Sequence, residues 1–397
     1  MSTSTKMNIP ITKLYLGEEE VEAVREVLKS GWLVQGDKVE EFENMVKAKV
    51  GTKHAVACGN CTEALHMAVL ALGVGRGDRV AVPAYTFVAT PNAVEYVGGV
   101  VEFVDIDLET FNIDTNALPL RGFTRAAIPV HLFGLCADMK GIAEWVRLKG
   151  ASIIEDAACS LGASCPEGRA GAIGDIGCFS FHPRKSITTG EGGMTTTNID
   201  DLAHKVRALR DFGFEITDIE RHRSGQTALP QVEMLGFNFR LTNVQGAIGV
   251  EQMKKYGYIV GERMRLAEIY NRELAELGWI RTPVVPEGYQ HTYQSYCLLV
   301  GGNIRRRQAE STEGYIDHWV VLKDKLVATF KDKGIAIRGG THACHMLPYY
   351  ARKYGLKPLD FPNTAIADAL LVTIPLFASM TENEQQYIID AIKEVKV

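Results

Sequence analysis

Cys178-Phe179-Ser180-Phe181-His182-Pro183-Arg184-Lys185 runs into Ser186-Ile187-Thr188-Thr189-Gly190-Glu191-Gly192-Gly193 and then Met194-Thr195-Thr196-Thr197. An apolar strand, Cys178–Phe181, ends in a proline-bearing loop that projects Lys185, and a glycine-rich turn leads into the next strand, Met194–Thr197. Working outward, the same alternation of short apolar runs and helix-period segments fills the first two-thirds of the chain. Strands are expected at His54–Cys58, Arg79–Pro83, Val101–Val104, Ala126–His131 and Ser152–Glu155. Helices are expected at Glu18–Ser30, Lys38–Val50, Thr62–Leu72, Met139–Lys149 and Asp201–Phe212. Several strands are apolar throughout, as happens where helices cover both faces of a sheet. The pattern predicts an α/β architecture with a mainly parallel sheet.

From about Tyr256 the texture changes. A charged amphipathic helix (Glu262–Leu277) leads into a polar, loop-like stretch, Gly301–Gly314, followed by helix patterns at Asp317–Lys333 and Asn383–Val395. Residues 1–255 therefore read as a large domain and 256–397 as a smaller C-terminal α+β domain. That division suits a chain of 397 residues, since single cores stop growing at roughly 250–300 residues. The net charge of -5, with no long basic run beside aromatics, argues against a nucleic-acid partner. The short Arg305-Arg306-Arg307 run reads as a solvated loop. Met1 to Pro10 lacks the apolar core of a signal peptide, and the longest apolar stretch, near Ala64–Val74, is too short to cross a bilayer. Eight cysteines are scattered without a disulfide framework, which suits a reducing cytoplasm. Without an export signal, the glycosylation pattern of Asn60-Cys61-Thr62 reads as accidental.

Open α/β sheets bind ligands beyond the C-terminal ends of their strands. Three such ends carry polar or reactive residues. At Cys58-Gly59-Asn60-Cys61-Thr62, small residues precede a helix whose free N–H groups and dipole suit an anion. Thr62 can cap that helix and donate to a phosphate oxygen. Cys58 and Cys61 also spell a redox or zinc pair, but no second Cys or His pair completes a four-ligand site, so metal is not expected. At Ile153-Ile154-Glu155-Asp156, an apolar strand ends in two acids, and a carboxylate there is costly unless paired with a cation. The third end is the Lys185 loop. Lysine amines form Schiff bases with carbonyls, and pyridoxal-phosphate enzymes combine such a lysine with an acid for the pyridinium nitrogen. An anion cradle, an acid and a lysine fit that one cofactor together. Gly73-Val74-Gly75-Arg76-Gly77 looks loosely like a dinucleotide fingerprint but follows a helix, and reads as a helix C-cap and turn.

At this point the chain resembles the nucleotide-sugar aminotransferases of fold type I, also known as secondary-metabolite and surface-sugar aminotransferases. The likeness runs almost the whole length. It opens at Ser30–Gly36 and continues through Pro83–Ala93, Pro129–Gly134, Glu155–Ala158, Ser180–Gly193 and Gly236–Ala247. It closes at Ile374–Phe377 and Met380-Thr381. The resemblance implies a fold type I pyridoxal-phosphate-dependent transferase in which Lys185 is the Schiff-base lysine and Asp156 pairs with the pyridine nitrogen. It places Phe87 over the cofactor ring and gives the phosphate to Cys61, Thr62 and Ser180, with Asn238 reaching it from the partner subunit of a homodimer. Arg240 lies near the same crossing, and His342 is expected to border the sugar side of the cleft. Three positions depart from the common pattern. Cys159 stands where many members have a Gln near the cofactor's 3-hydroxyl, Cys61 replaces a frequent Gly or Ser, and Phe212 sits where a His is common.

The implied reaction moves an amino group from L-glutamate to a keto sugar carried on a nucleotide. The stretch Ile187–Gly193 resembles the branch acting on 4-keto sugars more than the 3-keto branch, so a 4-keto-6-deoxyhexose is expected. Two rivals compete. Related sugar dehydratases replace the lysine with histidine, which Lys185 opposes, and a non-catalytic scaffold would have no reason to keep Lys185, Asp156 and Ser180 together.

Overall fold

The computed structural model describes residues 6–119, 122–214, 216, 231–301 and 311–396; the Arg305-Arg306-Arg307 run lies outside them. Its main sheet has seven strands. In sheet order they are His54–Cys58, Gly193–Thr197, Ile176–Ser180, Ser152–Asp156, Ala126–Ala127, Arg79–Pro83 and Val100–Val104. Gly193–Thr197 runs antiparallel to both neighbours, and every other pairing is parallel. Side chains alternate between the two faces. Ala55 and Ala57 join one apolar layer with Phe42, Ile153 and Met194, whereas Val56 and Cys58 join another with Leu65, Val82 and Ile154. Burial on both sides is why these strands read as continuously apolar.

Several sequence expectations shift by a residue or two, and three change in substance. The strand expected at Ala126–His131 is regular only over Ala126–Ala127, because Pro129 has no amide to donate. The chain still follows the sheet there: Asp156 N donates to Pro129 O at 2.9 Å and His131 N to Asp156 O at 3.0 Å. The helix expected to begin at Glu262 instead spans Asn243–Leu274, starting from a Thr242 capping box. Its early glycines do not break it; they let it pack closely. A Cβ on Gly246 would lie 2.7 Å from Val39 N, and one on Gly249 would lie 2.8 Å from the Phe42 ring. The helix is continuous through Tyr256, where the sequence texture changes. Third, Asn60 rather than Thr62 caps the helix Cys61–Ala71, its side chain accepting from Glu63 N at 3.0 Å.

The C-terminal α+β part holds an antiparallel sheet in the order Ile280–Arg281, Tyr296–Val300, Leu371–Ile374, Arg338–Gly339. The long helices Asn243–Leu274 and Thr312–Lys333 and the last helix, Glu382–Lys393, pack around it. The N-terminal segment joins this part of the molecule. Ile9 bridges Ile335, and Leu376 N donates to Ile11 O at 3.2 Å. Among the described residues, no helix is long and apolar enough to cross a membrane.

Candidate active site

Neighbouring strand ends converge on Asp156. Because strand residues alternate, Glu155 and Asp156 point to opposite faces. Glu155 is fully buried and accepts from the amides of Gly171, Ile173 and Gly174 at 2.6–2.8 Å. His131 Nε2 lies 2.8 Å from the same carboxylate, and its Nδ1 accepts from Ala137 N at 3.0 Å, so Nε2 carries the proton donated to Glu155. Glu155 is thus occupied in holding the loop after its own strand. Asp156 is also buried, but its partners are fewer: Thr90 Oγ1 donates to Oδ2 at 2.7 Å and Ala158 N to Oδ1 at 3.1 Å. Burial raises its pKa above the ordinary value of 3.8, partly offset by those bonds and by the charge of Lys185. Such a carboxylate is set to receive a cation.

Lys185 supplies the amine. Its backbone N donates to His182 O at 2.8 Å, closing the turn, and its half-buried Nζ donates to Cys159 Sγ at 3.2 Å. Burial disfavours the ammonium, but the Cys159 contact and the facing Asp156 charge hold the pKa above the usual lysine value. The following turn is stitched to its base. Thr188 Oγ1 donates to Phe181 O at 2.8 Å, Thr189 Oγ1 to Glu191 O at 2.6 Å, and Gln245 Nε2 to Glu191 O at 2.7 Å.

Beside these groups lies an anion cradle. Gly193 pairs with Cys58 on one side and Ser180 on the other, bringing Ser180 next to the helix starting at Cys61. A Cβ on Gly193 would overlap the Asn60 carbonyl and lie 2.7 Å from Cys61 N, so only glycine permits the approach. Asn60 serves the Glu63 and Ala64 amides, which leaves the earlier amides of Cys61 and Thr62 for a ligand. Cys58 and Cys61 are both buried; loss of hydration, and then nearby carboxylates, push both thiols well up. They are therefore neutral and not poised for redox exchange.

The remaining expected residues lie outside this group. Phe87 and His342 meet at an exposed edge, ring centroids 5.6 Å apart, where His342 pairs with Thr86. Exposed Asn238 bridges Asp211, and Arg240 spans the two, with Nη1 3.0 Å from Asp211 Oδ1 and Nε 3.2 Å from Asn238 Oδ1. The Arg240 guanidinium also sits 5.1 Å over the Phe212 ring. Sequence reasoning missed Thr90, which orients Asp156, and Gln294, whose Nε2 donates to Arg184 O at 2.7 Å and ties the C-terminal part to the lysine loop. Both contacts join residues far apart in the chain, and neither leaves a local pattern.

The residues suit pyridoxal phosphate. Helix amides and Ser180 offer an anion seat, Asp156 offers a buried carboxylate for a ring cation, and Lys185 offers an amine between them. The cradle closed by Gly193 would be filled by a single methyl group. Fold and site together define a fold type I pyridoxal-phosphate-dependent transferase. Its family is more specific: the chain belongs to the DegT/DnrJ/EryC1/StrS aminotransferase family, which matches residues 14–393. It is 35% identical over 389 residues to the GDP-perosamine synthase of Caulobacter vibrioides, covering 96% of each chain. It is 33% identical over 391 residues to the spore coat polysaccharide biosynthesis protein SpsC of Bacillus subtilis, covering 98% of this chain and 97% of that one. The crystal structure of the aminotransferase TlmJ from Streptoalloteichus hindustanus superimposes with a TM-score of 0.84 at 26% identity, covering 97% of both chains. The protein is a pyridoxal-phosphate-dependent sugar aminotransferase.

Proposed function

We propose that the enzyme moves the amino group of L-glutamate to a 4-keto-6-deoxyhexose carried on a nucleoside diphosphate, making a 4-amino sugar for a surface polysaccharide or glycoconjugate in the cytoplasm. The observation that carries the amino transfer is Lys185 Nζ, held 3.2 Å from Cys159 Sγ between Asp156 and the Cys61 cradle. The similarity to a GDP-perosamine synthase and the form of the Ile187–Gly193 turn support the choice of a 4-keto sugar. That turn is pinned by its own hydroxyls, so its shape can select which carbon of the hexose meets the amine. Geometry of this kind tolerates little displacement, since roughly 1 Å can cost about a hundredfold.

The residue roles follow from position. Pyridoxal phosphate, when bound, supplies a carbonyl for the lysine and a ring that withdraws electrons from the carbon bearing the amino group. Lys185 would hold the cofactor between turnovers, and its amine, once free, would carry a proton to and from the donor carbon. Asp156, oriented by Thr90, would keep the ring nitrogen protonated. Cys61, Thr62 and Ser180 would hold the phosphate, Phe87 would cover the ring and Cys159 would stand beside the 3-hydroxyl. His342 and Arg240 meet the substrate.

Two copies complete two sites, with Asn238 of each reaching the other's phosphate. Exposed apolar residues on and near its segment support such a homodimer, with Leu235 87% and Val232 63% exposed. The working division is residues 1–255 for the cofactor and 256–397 for the cap over it. To test the reading, purified enzyme with glutamate is offered 4-keto and 3-keto nucleotide sugars separately, and products are identified by mass and NMR. Efficient turnover of the 4-keto compound is expected. Turnover of the 3-keto compound alone would overturn the choice of carbon and leave the aminotransferase intact.

A further inference from the structure

Cys159 is the one thiol that the fold leaves open. Of the eight cysteines, seven are buried and Cys159 alone is partly exposed. Loss of hydration pushes the thiols of Cys58, Cys61, Cys178, Cys297 and Cys344 up, which keeps them inert. Cys159 differs again in its neighbour: its Sγ accepts from Lys185 Nζ at 3.2 Å. The thiolate is the form of cysteine that attacks a peroxide, and reactive cysteines sit beside a cation at a partly open surface.

Both partners are held in place. Ser160 N donates to Ala157 O at 3.0 Å, closing the turn that carries Cys159 beyond the strand ending at Asp156. Lys185 stands on the turn closed by its own amide and His182 O. Sulfur and nitrogen are thus brought together by two fixed turns, and the flexible lysine stem can close the remaining gap without moving either backbone. Burial disfavours the Lys185 ammonium, and the contact with Cys159 is the first influence that opposes it. Oxidation of the sulfur takes that acceptor away, so burial then favours the neutral amine, which is a nucleophile.

We propose that Cys159 and Lys185 form a sulfenamide under peroxide, a covalent S–N link that withdraws the lysine amine from chemistry. In the first step the thiolate sulfur attacks hydrogen peroxide. The S–O bond forms, the O–O bond breaks, and hydroxide leaves and takes up a solvent proton; sulfur is oxidised by two electrons and the peroxide is reduced by two. In the second step the Lys185 nitrogen attacks the sulfenic sulfur. The S–N bond forms as S–O breaks, and the oxygen leaves as water with its own proton and one from the nitrogen. Two molecules of a small thiol reverse the link, becoming a disulfide and returning Cys159 and Lys185. The link stops the sulfur short of sulfinic acid, which is irreversible. The bond rests on the geometry; its consequence, loss of amino transfer, rests on the reading of Lys185 as the cofactor lysine.

The test treats holoenzyme with hydrogen peroxide, with and without L-glutamate, and reads intact mass and tryptic peptides. Glutamate without a keto sugar leaves the amino group on the cofactor and Lys185 free. That form should lose about 2 Da, with the Cys159 and Lys185 peptides joined, about tenfold faster than the form without glutamate. Dithiothreitol should restore both mass and activity. Cys136 and Cys165, whose thiols interact, would give the same mass change as a disulfide, and the peptides tell the two apart. In Lys185→Ala the sulfenic acid has no amine to meet, so dimedone should label Cys159 there and not in the wild type. Cys159→Ser should show neither link nor label at this position. Products that keep oxygen on Cys159 and leave Lys185 unlinked would overturn the proposal. Dimedone labelling of the wild type equal to that of Lys185→Ala would overturn it too. A linked protein that still aminates a sugar would remove Lys185 from its cofactor role and leave the link standing.

Discussion

Two halves of the site are built differently. Around Asp156, Ser180 and Lys185 the groups sit on strand ends of one sheet, are buried or half-buried, and are fixed by hydrogen bonds within the chain. Around Phe87, Asn238 and His342 they are exposed and held mainly by ring contacts and isolated bridges. The first half is ready for its ligand before the ligand arrives. The second is an open margin that acquires its surroundings from substrate or from another copy of the chain. Pre-arranged groups are where removal of one atom should cost most.

The difference can be broken from the strongest side first. Lys185→Ala should lower turnover about 10⁴-fold or more, while cofactor binding through the cradle, read by absorbance after dialysis, persists. Wild-type activity in that variant would remove the lysine from its role. Asp156→Asn should lower kcat about 10²- to 10³-fold, because a neutral side chain no longer favours the charged ring nitrogen. An effect of a few-fold would exclude that role.

The same variant has a stability signature. The folded pKa of Asp156 lies above 3.8, so the folded state holds its proton more tightly than the unfolded chain does. Stability from this group is full below 3.8 and is lost as pH rises through the raised value. Asp156→Asn should therefore raise the Tm of cofactor-free protein at pH 7 by roughly 2 °C or more. The gain should disappear as the pH approaches the ordinary aspartate range; a gain that persists in acid would contradict the burial cost.

On the open side, a mixed dimer of Lys185→Ala and Asn238→Ala chains should contain one competent site. Its activity should exceed that of either parent dimer, measured after co-refolding and sizing by sedimentation. A fully active monomer would refute the shared arrangement. His342→Ala should do least, raising KM for the sugar about two- to fivefold with kcat kept. A collapse of kcat would move His342 into the first half.

The buried half was also the more legible one in the sequence. A strand end, a helix start and a loop lysine each leave a local signature, and Glu155-Asp156, Cys61-Thr62 and Ser180–Lys185 could be placed from it. What escaped depends on distant partners. Thr90 meets Asp156 across 66 positions and Gln294 meets Arg184 across 110, and no periodicity reports either. The helix Asn243–Leu274 was half-missed because Gly246 and Gly249 look like breakers when their neighbours Val39 and Phe42 are not in view. Thr62 looks like the cap because Thr is a good one, yet it is Asn60 that has the extended backbone of a cap and accepts from Glu63 N.

The pairing of Ile9 with Ile335, and of Ile11 with Leu376, bears on the order of assembly. A ribosome releases residues 9–11 well before their partners Ile335 and Leu376. This segment must wait, while the strands from His54 to Thr197 can pair among themselves. Closing so long a loop is slow compared with local steps. Docking of residues 9–11 is thus a late event in folding, and a nascent chain stalled before Ile335 would carry this segment unanchored.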